Sequence, residues 1–207
     1  ASINIVIALI ISIALIWLFY NITRRTEQEL DHSQRELLAE AQRREKMQHD
    51  HIRELQHHAL HDSLTGLPNR VLLLDHLSRA VHASHRNSAP LMLAVVDVNR
   101  LRAINDTLGH QTGDLILQEA GQRLRTALPE TNTVARIGAS EFGVILSGCG
   151  PDTADSVAHK LHDIFDHAFE VDGVSLNIEI HIGFAFWPQH GDDAELLMRR
   201  ADVAVNH

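Results

Sequence analysis

The chain has 207 residues, of which 44% are hydrophobic and 22% charged, room for one ordinary domain with appendages. Its net charge of −9 excludes a generic nucleic-acid binder, which needs a basic surface to displace counterions. Cys149 is the one cysteine, which excludes an intrachain disulfide and fits a reducing compartment.

Ile3 to Tyr20 carries no charged side chain. That length is at the short end of what spans a hydrocarbon core. Trp17 and Tyr20 stand at one end, where amphipathic rings favour an interface, and Arg24 and Arg25 follow. The pattern predicts a transmembrane or signal-anchor helix over 1–23, with the rest of the chain in the cytoplasm at the inner membrane. A cleaved signal peptide would begin with positive charge and end in small residues, and this segment does neither.

Thr26 to Leu60 contains no Gly or Pro and is rich in strong helix formers. Leu38, Ile52 and Ala59 fit one heptad position and Ala41 and Leu55 the other, while Glu45 and Gln48 interrupt the seam. Residues 24–60 therefore read as a signalling helix, either a weak coiled coil pairing in a homodimer or a solvated connector. His49, His51, His57, His58 and His61 crowd its end. His57 and His61 share a helical face, as zinc ligands or a pH sensor would, but no cysteine or placed carboxylate completes a four-ligand site.

Gly66 and Pro68 break the helix, and Asn69 is a cap for a helix over Arg70–Ser84. Leu91–Val98 reads as a buried strand, and Gly113–Leu128 as an amphipathic helix with Leu115, Leu117, Ala120, Leu124 and Leu128 turned inward. Strands Thr133–Ile137 and Phe142–Ser147 flank a tight turn. Helix Thr153–His167, a long strand or strand pair over Val174–Phe186, and helix Ala194–Val205 follow. This order is that of an α/β (α+β) ferredoxin-like palm.

Four stretches carry a resemblance. The turn reads Gly138-Ala139-Ser140-Glu141-Phe142. Asp62-Ser63-Leu64-Thr65-Gly66-Leu67-Pro68-Asn69-Arg70 precedes the first domain helix. Asp97-Val98-Asn99-Arg100-Leu101-Arg102-Ala103-Ile104-Asn105-Asp106 is followed by Gly109-His110 and Gly113-Asp114. His181-Ile182-Gly183-Phe184-Ala185 leads to Trp187-Pro188-Gln189-His190-Gly191-Asp192-Asp193 and Arg200-Ala201-Asp202. In order and spacing they resemble the GGDEF family of diguanylate cyclases, with 61–207 as a C-terminally truncated GGDEF-like domain of the nucleotide-cyclase type. The wording is nearest to GGDEF domains fused to an EAL phosphodiesterase domain, which implies such a partner beyond His207.

The resemblance implies a homodimer in which two GTP molecules are joined into cyclic di-GMP, with Mg²⁺ bridging the phosphates. It assigns metal contacts to Asp97 and the Val98 carbonyl, guanine contacts to Asn105 and Asp114, and a phosphate contact to Arg102 in place of a lysine. Glu141 is the remaining catalytic candidate, and Phe142 fits the core as well. Ser140 stands where the family has a metal-binding acid, and a neutral hydroxyl is a poor substitute for it. Ala139 replaces a glycine, so a strained turn is expected. Pro129-Glu130-Thr131-Asn132 lacks the family's Arg-x-x-Asp inhibitory site. The implied protein is a membrane-anchored regulator that binds GTP without cyclising it. The competing readings are a weak cyclase and a purely structural dimerisation module. Read without the resemblance, Asp97 is a strand-end residue, and Asn105 and Asp114 are turn and helix-cap residues.

Overall fold

In the computed structural model, the backbone is described for residues 2–171 and 173–206. The side chains of residues 2–11, 26–39, 41, 50, 52, 53 and 56 lie outside the described residues. The chain divides into two compact units, Ala1–Leu55 and Gln56–His207.

The first unit is formed by helix α1, Ser2–Leu60, which runs on into the second. Continuity follows from the absence of Gly and Pro. Ile16, Trp17 and Phe19 are 68–74% exposed, and Ile13, Leu15, Leu18 and Ile22 are exposed beside them. Among the described residues no helix is long and apolar enough to cross a membrane. The expected span Ile3–Tyr20 begins on side chains outside the described residues, as do the heptad positions Leu38, Ala41 and Ile52. Leu55 and Ala59, also assigned to that seam, are exposed. Glu40 and Arg44 pair at 2.6 Å across one turn.

In the second unit, helix α2 spans Arg70–Asn87, and the Asn69 side chain accepts hydrogen bonds from the Val71 and Leu72 amides. Strand β1 is Leu91–Val98, followed by helices α3, Leu101–Leu108, and α4, His110–Ala127. Strands β2, Thr133–Arg136, and β3, Glu141–Ser147, form the hairpin. A short 3-10 turn leads into α5, Ala154–Asp166. Strands β4, Phe169–Val171, and β5, Val174–Leu176, make a separate small hairpin. Strand β6, Ile180–Trp187, and helix α6, Ala194–Val205, close the order.

The main sheet has the order β2-β3-β1-β6, antiparallel throughout. With α3–α4 and α5 as crossovers, that is the ferredoxin-like arrangement the element order predicts. Both faces are covered. Met92, Ala94 and Val96 pack with α4 and α5, and Leu91, Leu93 and Val95 pack with α2 and α6. This explains why β1 reads as an unbroken apolar run. At the β6–α6 contact, a Cβ on Gly183 would fall on the backbone of Ala201 and Val205, so glycine is what lets the helix seat on the strand.

Four expectations are corrected. Leu115, expected inward on α4, is 40% exposed. Helix α3 is absent from the sequence reading, because a short segment rich in Asn, Asp and Thr carries little helical signal. Helix α4 begins at His110, before Gly113. The stretch expected as one strand or a pair, 174–186, is the end of a small hairpin and a separate strand β6.

Candidate nucleotide site

Strand register brings the first candidates together. Asp97, at the end of β1, lies opposite Glu141 of β3 and opposite His181 of β6. Side chains of directly opposed residues share a face, so Glu141, Asp97 and His181 form a row across the sheet. By the two-residue alternation from Leu93 and Val95, it is the face that carries α2 and α6. Arg70 and Asp202, from those helices, pair at 3.7 Å. Burial, then the charges of Asp202 and Asp97, raise the Glu141 carboxyl above its ordinary value, against the pull of Arg70. The Glu141 side chain folds over Gly138, where a Cβ would collide with its carboxylate.

Ser140 points into this row. Its hydroxyl donates to Asp97 Oδ1 at 2.5 Å, and its carbonyl accepts the Val98 amide at 2.9 Å. The turn is closed by the Ile137 and Gly138 amides, which both donate to the Glu141 carbonyl. Among the described residues the non-glycine positive φ angles are those of Ser88 and Arg100. Ala139 is thus free of the backbone strain expected of it, because this turn needs no left-handed residue there.

The hairpin is anchored from the other end. Arg136 donates to both Asp62 oxygens, at 3.1 and 3.2 Å, and to the Ala139 carbonyl at 2.9 Å. Asp62 also accepts the Thr65 amide and hydroxyl at 2.9 and 2.7 Å. Burial opposes the Asp62 charge, but the Thr65 hydrogen bonds and the Arg136 guanidinium together hold its carboxyl below its ordinary value. The turn that leaves α1 is thereby tied to the loop that carries Ser140.

Beyond Val98 the chain turns through Arg100, left-handed at φ 58°, into α3, whose first turn has no side-chain cap. The amides of that turn are open to an anion. Asn105 packs against the start of α4, where Gly113 leaves room for its side chain. Asn105 Oδ1 is buried without a hydrogen-bond partner among the described residues. An unpaired buried acceptor is costly, and a ligand N–H reaching it would relieve it. Asp114 and Arg102 are both exposed on these helices. Phe142 is fully buried in the core.

Among the described residues no three His, Cys, Asp or Glu side chains group to hold a metal unaided. A hard cation such as Mg²⁺ is more often held by one or two protein oxygens plus substrate phosphates. The Asp97 carboxylate and the Ser140 hydroxyl, side by side, are the oxygens that would hold one such ion. Asp97 is the one carboxylate of this pair, and Ser140 contributes a hydroxyl. His181, Arg70, Asp202 and the Asp62–Arg136 pair were not legible as neighbours of this site, since only strand register and the α2 and α6 packing place them there.

Comparison with known proteins agrees with this geometry. Residues 59–207 match the family model described as diguanylate cyclase, GGDEF domain. The signalling protein YkoW of Bacillus subtilis is 36% identical over 155 residues, covering 74% of this chain and 19% of its own length. The bifunctional diguanylate cyclase/cyclic di-GMP phosphodiesterase MucR of Pseudomonas aeruginosa is 36% identical, over 75% of this chain and 23% of that protein. The chain thus spans about a fifth of these relatives. The coiled coil and GGDEF domain of DgcB from Caulobacter crescentus, solved with c-di-GMP, superposes with a TM-score of 0.71 at 26% identity, covering 82% of this chain and 90% of that one. The palm, the Asp97 row and the family match over 59–207 converge: this chain belongs to the GGDEF family, the diguanylate cyclase domains of cyclic di-GMP signalling.

Proposed function

We propose that this chain is the membrane-anchored part of a cyclic di-GMP signalling protein whose GGDEF domain binds GTP as a regulatory ligand and does not cyclise it. The observation that carries this reading is the Ser140–Asp97 hydrogen bond, which stands where an active site needs a second carboxylate. Cyclisation needs both developing charges stabilised as one 3′-hydroxyl attacks the partner domain's α-phosphate, and a neutral hydroxyl supplies less of that. The unpaired Asn105 Oδ1 supports a retained guanine pocket, with Asp114 at its rim. The exposed apolar side chains from Ile13 to Ile22 support a membrane anchor, since an apolar surface of that extent needs a lipid or protein cover. Homodimerisation through 24–60 and a downstream EAL-type domain, as the double activity in MucR's name suggests, complete the proposal.

The second reading is a weak cyclase. It is favoured by Asp97 and Glu141, which face each other across the β1–β3 pair. Product chromatography after incubating the full chain with GTP and Mg²⁺ separates the two. The expected result is no cyclic di-GMP from the unmodified chain and measurable product from the Ala139→Gly, Ser140→Asp variant. Product from the unmodified chain would overturn the regulatory reading.

A further inference from the structure

The nucleotide site makes no use of the histidines at the end of α1. His57 is in its last turn, and His61 follows its final residue, Leu60. The His61 amide still donates to the His57 carbonyl at 2.9 Å, so the helical spacing is kept. The two rings are stacked, with centroids 3.9 Å apart and planes 2° from parallel. His61 Nδ1 lies 3.0 Å from the same carbonyl oxygen. A carbonyl only accepts, so Nδ1 carries the proton and Nε2 keeps its lone pair. We propose that His57 and His61 form a two-histidine chelate for a divalent transition ion of the zinc class, which clamps the end of α1 immediately before Asp62. The chelate is independent of nucleotide binding.

An imidazole that donates one N–H to a backbone carbonyl and offers its other nitrogen is set up as metal-bound histidines are, because the hydrogen bond fixes the tautomer and aims the ring. Zinc–nitrogen bonds of about 2.0–2.1 Å at a tetrahedral angle put two ligand nitrogens about 3.3 Å apart. The stacked rings reach that spacing by tilting toward each other, and His57 is exposed, so its tilt meets no core packing. Neutral imidazole suits Zn²⁺, Cu²⁺ and Ni²⁺, whereas Mg²⁺ and Ca²⁺ prefer oxygen, which separates this site from the one at Asp97. Among the described residues no three His, Cys, Asp or Glu side chains group around an ion, so water fills its other positions. His61 also lines a cavity of about 430 Å³ with His76, Arg125 and Glu130, which has room for that water. The clamp falls where the turn is anchored. Asp62, the next residue, holds Arg136, and the Asn69 amide and side chain donate to the Leu60 and Ala59 carbonyls at 2.8 Å. A bridge between His57 and His61 closes the turn that carries these contacts.

The test is competition for ZnCl₂ between the full chain and a fluorescent zinc chelator, with the unmodified chain, His57→Gln, His61→Gln and His58→Gln compared. The chain has 16 histidines, so His58→Gln controls for the loss of any one of them. Hydrogen exchange of the backbone amides of residues 57–62 is followed with and without ZnCl₂. The expected result is a tightest site that is at least about tenfold weaker in His57→Gln and in His61→Gln and unchanged in His58→Gln. Exchange at the His61 amide should slow by at least about threefold with ZnCl₂ in the unmodified chain and in His58→Gln alone. An equal loss of affinity in all three variants, or a loss in none, means zinc shared among scattered histidines and overturns the inference. Absence of zinc binding by the unmodified chain overturns it as well, and unchanged exchange with zinc bound overturns the clamp. His57 is exposed, so His57→Gln decides the outcome if His61→Gln disturbs the fold.

Discussion

Arg136 and Ser140 stand at two ends of one hairpin and have opposite surroundings. Arg136 is 14% exposed, and its side chain is held by Asp62, which is 22% exposed, and by the Ala139 carbonyl. Ser140 looks toward Asp97 and Glu141, two acids whose charges oppose each other. A charge at the first position has a partner, and removing that partner strands it. A charge at the second would add to existing repulsion, so a neutral residue there eases the fold. The anchor and the proposed nucleotide site share one loop, one held by paired charges and the other set beside unpaired ones.

Variants can break or sharpen that contrast. The largest effect is expected on the scaffold side, where β6 meets α6. Gly183→Ala should cost about 4 kcal/mol in urea unfolding, because the obstacle is helix backbone and cannot step aside. Asp62→Ala leaves a part-buried guanidinium with fewer partners and should cost about 3 kcal/mol, a fall in Tm of roughly 6–12 °C. On the reactive side, Ser140→Asp should cost only about 1 kcal/mol in EDTA, and Mg²⁺ with GTP should recover it. A loss as large as that of Asp62→Ala would erase the distinction between the two ends.

The smallest effect concerns Glu141. Its carboxyl is raised in the folded state, so between the ordinary glutamate value of 4.5 and its folded value the native protein binds the proton more tightly than the unfolded chain. Stability is then lost as pH rises through that window. Glu141→Gln, which cannot ionise, should raise Tm slightly at pH 7, and the gain should vanish below about pH 4.5. Asp62 works the other way: its depressed carboxyl stabilises the fold above the ordinary aspartate value of 3.8, and that stability is lost as pH falls through the folded value. Thermal scans of Asp62→Asn against pH should show its deficit shrinking in acid.

Much of the frame is local and therefore readable in the sequence. Strand β1 is apolar because it is covered on both faces, and helix α6 begins where the Asp193 side chain accepts the Leu196 amide at 2.7 Å. The Asn69 cap fixes the start of α2 in the same way. Helix α3 escaped because it is short and built from residues that also favour turns. The strain expected at Ala139 was inferred from a glycine elsewhere in the family, and the hydrogen bonds of this turn do not require it.

The sequence by itself determined the family, most of the helices and strands of the main layer and a serine in the hairpin turn, since each is carried by residue identity at short spacing. Only the tertiary structure decided what that serine meets. Asp97 and Ser140 are 43 residues apart in the chain, and Asp62 and Arg136 are 74 apart. No local pattern encodes such contacts. They exist because antiparallel register sets Asp97 between Glu141 and His181, and because a part-buried guanidinium must find its carboxylate wherever the fold brings one near.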